Sequence, residues 1–168
     1  MKKGFTLIEA VVVLSMILIL SGMVLLNQRA SQAQFALQRS THKLAQDIRR
    51  AKDLAMSTQK FNDEIPEGGY GIYINLATSD SSYKIYADLN GDEKWNASDG
   101  IAETCDLEKK IFIKSISPSP LSINFKPPDP EVKISQDVTS ATIELAIGSD
   151  PDNTKTITIN KLGLITIE

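Results

Sequence analysis

The sequence holds a single cysteine, Cys105, so no disulfide can form within the chain. An exported domain without such staples has to be held together by its core or by a bound metal. There is also only one histidine, His42, far from Cys105 in sequence, and nothing in the sequence brings the two together as a catalytic pair. Neither a glycine-rich phosphate loop nor a zinc-ligand spacing occurs. The expectation is that the protein is not an enzyme. Basic residues are scarce in the distal part, where residues 60–168 carry ten Lys and Arg against eighteen Asp and Glu, a net −8. A basic footprint is needed to displace counterions from phosphate, so nucleic acid is a disfavoured partner, although a local basic patch stays open. Charge is missing altogether from Ala10 to Leu26, and from Phe5 to Leu26 the only charged residue is Glu9.

That uncharged stretch is the first positive signal. About twenty apolar residues are enough for a helix to cross a bilayer. Lys2 and Lys3 precede the run and hold that end in the cytoplasm, which puts the rest of the chain outside. A secretory signal would end in a small-residue cleavage site, for which Ser21-Gly22-Met23 is a poor candidate, so the run reads as retained. A carboxylate inside a spanning segment costs about 2.5–3.5 kcal/mol on insertion scales, so Glu9 calls for a partner. The alternative is a Glu9 that snorkels at the interface or stays protonated.

Gly4-Phe5-Thr6-Leu7-Ile8-Glu9, followed by the apolar run to Leu26, resembles the class III signal of type IV pilins and type II secretion pseudopilins. The resemblance implies that residues 1–4 are a leader, that a membrane prepilin peptidase cuts after Gly4, and that Phe5 becomes the N-methylated first residue. It also implies that Glu9 meets the free amino terminus of a neighbouring subunit and directs assembly. Physically, a carboxylate in apolar surroundings is relieved by a nearby cation, and cleavage after Gly4 exposes that amine. The implied partners are other pilin or pseudopilin subunits, the peptidase, an inner-membrane assembly platform, and lipid before assembly. The implied location is a single pass through the cytoplasmic (inner) membrane with the head outside, then an extracellular or periplasmic filament.

From Phe5 to Gln59 only Gly22 interrupts helix-forming residues, and transmembrane helices tolerate glycine. The spacing predicts a spanning or filament-core helix over 5–27, continued by an amphipathic helix over 28–59, about 80 Å in all. Leu37, Leu44, Ile48, Ala51 and Ala55 form one apolar stripe, with Arg39, Lys43, Arg49 and Lys52 on other faces. After Lys60 the pattern changes to short alternating segments. Strands are expected at 70–75, 82–88, 109–116, 121–126, 132–135, 141–147, 155–160 and 164–168. Turn chemistry separates them at Glu67-Gly68-Gly69, Asn90-Gly91, Pro127-Pro128-Asp129-Pro130 and Asp150-Pro151-Asp152-Asn153, with a last hairpin through Asn160–Gly163. The fold class expected is α+β and pilin-like: a long N-terminal helix, transmembrane in its first half, packed by its second half on an antiparallel β-sheet head over 60–168. Gly69-Tyr70-Gly71-Ile72-Tyr73, the segment from Tyr83 to Asp88 with its acidic turn, and the strand pair around Gly163 are similar to H-type minor pseudopilins and related minor pilins.

Residues 88–99 have the spacing of a calcium loop. Such a loop needs oxygens at its positions 1, 3, 5, 9 and 12 and a backbone carbonyl at 7. Counted from Asp88, these fall on Asp88, Asn90, Asp92, Asn96, Asp99 and the carbonyl of Lys94. Two departures are Glu93, where the sixth position favours glycine, and Asp99, shorter than the usual bidentate glutamate. The competing reading is an acidic solvated turn, since Asn-Gly-Asp is good turn chemistry by itself. Calcium, where bound, would fix the loop and do no chemistry. The function expected is a structural filament subunit, a minor pilin or pseudopilin. The alternative is a filament-tip module binding DNA or a surface on the same scaffold.

Overall fold

The computed structural model describes residues 6–128 and 132–168, without the side chains of 24–30. Gly4 and Phe5, the expected processing site, and Asp129 and Pro130 of one expected turn lie outside the described residues. A single helix, α1 (Leu7–Met56), opens the chain. The chain divides into two compact units with the boundary after Phe35, inside that helix.

In the first unit, every residue from Thr6 to Met23 is exposed. The apolar side chains there sit on all sides of the helix, among them Leu7, Val12, Ile17, Leu20 and Met23. The expected spanning segment over 5–27 reaches beyond this stretch at both ends. Among the described residues, no helix is long and apolar enough to cross a membrane.

In the second unit, the last part of α1 lies on an antiparallel β domain by the stripe its periodicity marks: Leu37, Leu44, Ile48, Ala51 and Ala55 are all buried. Two sheets make up the head rather than one. The five-stranded sheet contains β1 (Gly69–Ile74), β2 (Ser82–Asp88), β3 (Gly100–Asp106), β5 (Leu121–Phe125) and β6 (Val132–Ile134) in the order β3-β2-β1-β5-β6. The four-stranded sheet runs β4-β7-β8-β9, from β4 (Ile111–Ser117), β7 (Ser140–Ile147), β8 (Asp150–Asn160) and β9 (Ile165–Ile167). Ile157 and Ile159 are buried while Thr156 and Thr158 are not, the alternation expected of a half-buried strand.

Two expectations need correction. β3 was not anticipated, because only Cys105 along it is well buried, so the strand lacks an alternating apolar signal. The turn expected at 150–153 is strand instead. The chain reverses at Gly148 and Ser149, and Asp150 to Asn153 form the start of β8, bulged where Ile147 pairs with Asp150 but Ala146 with Thr154. The Asn160–Gly163 hairpin forms as expected, with the Asn160 side chain accepting from the N–H groups of Leu162 and Leu164, both at 3.0 Å.

Candidate functional site

At the start of α1, Thr6 is the residue before the first helical turn and Glu9 stands in that turn. The Glu9 N–H donates to Thr6 Oγ1 at 3.3 Å, and the Thr6 hydroxyl donates to Glu9 Oε2 at 3.5 Å. Thr-x-x-Glu is a capping pair, and a carboxylate there is also favoured by the unpaired N–H groups of the helix start. The sequence reading missed Thr6 as Glu9's local partner, although the four-residue signature was there to find. Glu9 is thus exposed, held in orientation by its own chain, and carried at the head of an all-round apolar helix. A helix with no polar face belongs in lipid or among other apolar helices.

Residues 1–25 match the family model described as the prokaryotic N-terminal methylation motif. The chain carries that motif. The methylation motif takes in Gly4, Phe5 and Glu9 and supports a type IV pilin-like substrate of prepilin peptidase, over 25 of the 168 residues. No curated protein and no solved structure matches the chain.

Beyond the methylation motif, the end of β2 and the loop from there to β3 hold all six residues of the expected calcium site. Asp88, at the end of β2, is fully buried. Its Oδ1 accepts from the Gly91 N–H and its Oδ2 from the Glu93 N–H, both at 2.8 Å, and Asn124 Nδ2 donates to the same Oδ2 at 2.8 Å. Gly68 leaves room for this carboxylate, since a Cβ there would collide with it. Asn90 and Asp92 accept from N–H groups two residues on, at 3.1 and 3.2 Å, and Asp92 Oδ2 accepts from Asn96 Nδ2 at 2.9 Å. Asp99 closes the loop by accepting from the Asn96 N–H at 2.7 Å. Glu93 has φ 63°, the left-handed turn that the sixth position of such a loop requires, and its carboxylate turns outward to Lys126 at 3.1 Å.

Burial pushes the Asp99 carboxyl up, and the charges of Asp88 and Asp92 push the same way. The three carboxylates therefore sit close enough to repel. Among the described residues, however, no three Asp, Glu, His or Cys side chains are gathered where they could hold one metal ion. Most of the carboxylate oxygens face the loop's own N–H groups.

The loop also folds back over the outer face of the five-stranded sheet. Trp95 stacks on Tyr73 with centroids 5.4 Å apart and meets Tyr86 edge-on at 5.5 Å. Its backbone N–H donates to Ser122 Oγ at 3.1 Å, and Lys84 Nζ lies 5.3 Å from the centroid of its ring. Trp95 thus acts as a plug that ties the loop to β1, β2 and β5. His42 is exposed on the helix, as a solvated residue would be.

Proposed function

We propose that this protein is a structural subunit, a minor pilin or pseudopilin, of a type IV pilus-like or type II secretion filament. It would be stored in the cytoplasmic membrane by the helix of 5–27, cut after Gly4 and methylated on Phe5. The observation that carries the reading is the methylation motif of residues 1–25 at the head of a helix that is apolar on every side. Glu9 then has two successive partners: Thr6 of its own chain before assembly, and the methylated amine of a neighbour within the filament. The capping pair supports this order, because it holds the carboxylate at the helix start without neutralising it.

Intact mass of the protein from its native membrane tests the proposal. The expected mass lacks Met1–Gly4 and gains one methyl group, and a full-length mass would overturn the processing step. Glu9→Ala is expected to be processed normally yet fail to enter filaments; normal incorporation would remove Glu9 from assembly.

A structural calcium ion in loop 88–99 belongs to the same proposal. The left-handed Glu93, the crowding of Asp88, Asp92 and Asp99, and the absence of disulfides support it. Binding requires Asp92, Asn96 and Asp99 to turn from backbone N–H groups toward a shared ion, with Asp88, Asn90 and the Lys94 carbonyl completing the set. Thermal unfolding in calcium against chelator is the measurement. At a hundredfold excess over Kd the ion would add about 2.7 kcal/mol, and identical melting curves would leave the loop a hydrogen-bonded turn.

A further inference from the structure

The cations on the buried-face flanks of α1 are used unequally. On the side of β3, Arg39 makes a two-pronged ion pair with Glu108 at 2.7 Å, Arg50 pairs with Glu103 at 2.7 Å, and Lys43 donates to the Asp106 carbonyl at 3.2 Å. On the other side, Arg49 and Lys52 have no hydrogen bond or ion pair among the described residues. They line a groove of about 310 Å³ together with Asp53, Gly163, the buried Ile48 and Phe125, and the part-exposed Ile165. The β8–β9 turn forms its far wall. Gly163 comes close to Lys52 there, and Leu162 and Leu164 stand 79% and 62% exposed. The groove thus presents two positive charges, unpaired among the described residues, beside the part-exposed Ile165 and the exposed Leu162 and Leu164.

A matching protrusion exists on the same unit. Phe61 and Glu64 exchange backbone hydrogen bonds at 2.8 and 3.1 Å, and Asn62 and Asp63 between them both have positive φ, which fixes a tight turn. Directly after it, Ile65 is 55% exposed. Asp63 and Glu64 precede it and Glu67 follows two residues on, all exposed and without an ion pair among the described residues, with the Glu67 side chain lying beside Gly91. The turn therefore carries the opposite charge to the groove: an exposed apolar side chain with carboxylates at the two preceding positions.

The sheet places the start of the turn and the groove at its opposite edges. The Phe61 ring lies against Gly100 of β3, and Gly163 lies against Val132 of β6. Gly100, Ala87, Tyr70, Phe125 and Val132 are successive partners in one row across the sheet. Four strand spacings separate the ends of that row, about 19 Å.

We propose that the 61–67 turn of one copy of this chain docks into the Arg49–Lys52 groove of a second copy. Ile65 would lie against Ile165, Leu162 and Leu164, while Asp63 and Glu64 meet Arg49 and Lys52. The proposal rests on the filament reading above and deepens it. Because turn and groove are different surfaces, the contact is head-to-tail, and repeating it yields an open chain rather than a closed dimer.

The test uses the full-length chain with Ile65→Cys and Leu164→Cys, oxidised mildly in the membranes of cells that make it. The buried Cys105, its thiol pushed up to about 12 chiefly by burial, leaves the two introduced thiols as the reactive ones. The expected result is a ladder of disulfide-linked multimers from the double variant, and dimers only when the two single variants are mixed. Adding Arg49→Glu and Lys52→Glu is expected to abolish the ladder, and adding Asp63→Lys and Glu64→Lys to that chain to restore it. Dimers from Ile65→Cys alone, cross-links to a different protein only, or no ladder would overturn the contact. Intact mass of the same sample separates the two readings. A processed chain without a ladder overturns only this contact, whereas an unprocessed chain overturns the filament reading itself.

Discussion

Tyr83 on β2 donates its phenolic hydrogen to Asp47 on the helix at 2.5 Å, and both residues are buried. Burial and the neighbouring carboxylate push the Tyr83 hydroxyl well above its ordinary range, so it keeps its proton and donates it to Asp47. Cys105 sits beside the pair, sealed and held as a neutral thiol. Tyr83→Phe keeps the ring and removes the one hydrogen bond this carboxylate makes among the described residues. A loss of about 1–3 kcal/mol is expected in urea unfolding, and an unchanged midpoint would show that Asp47 finds solvent instead. Nothing in the sequence announces this bond. Tyr83 reads there as one aromatic in an alternating strand, Asp47 as a polar residue beside an apolar stripe, and 36 positions separate them. Glu9 is the opposite case: its isolation among apolar residues marks it at once, and only its local partner Thr6 needed the structure.

At the scale of the element, Gly71 shows how closely β1 is fitted. A Cβ there would run into the Tyr86 ring and the Ile123 carbonyl. Gly71→Ala is expected to cost about 1–3 kcal/mol by overpacking and to loosen Trp95, which rests on Tyr86. Unfolding midpoints of the variant and the parent protein decide it. Strands that bury one face were legible because their apolar residues alternate, as in Ile157 and Ile159. The edge strand β3 was not, because most of it faces water. Its place is set by pairing with β2 and by Arg50 and Lys43 reaching across from the helix, contacts that local pattern does not encode. The acidic loop was legible as a loop from its spacing. Its return over the sheet was not, because that depends on where Ser122 and Tyr73 lie.

For the whole molecule, acid stability follows from the direction of the carboxyl shifts. Hydrogen bonding to Arg39 lowers Glu108, bonding to Ser115 lowers Glu144, and bonding to Lys161 lowers Asp137. A carboxyl lowered in the folded state contributes stability above its unfolded pKa, and that stability is lost as pH falls through the folded value. Asp99, raised, works in reverse: the folded state binds its proton more tightly, so this residue costs stability as pH rises through the folded value. Melting temperature is therefore expected to fall as pH drops below the ordinary carboxylate range, with the onset softened by Asp99. Glu108→Gln should flatten the fall, because it removes one of the three lowered groups; an unchanged profile would mean that solvent screens the Arg39 pair completely. The plug in the acidic loop has a separate consequence. Trp95 is the sole tryptophan of the chain, and it sits in the loop rather than in the core. Fluorescence excited at the indole band therefore reports on one loop, and it distinguishes a loop that lifts from the sheet from a head that melts.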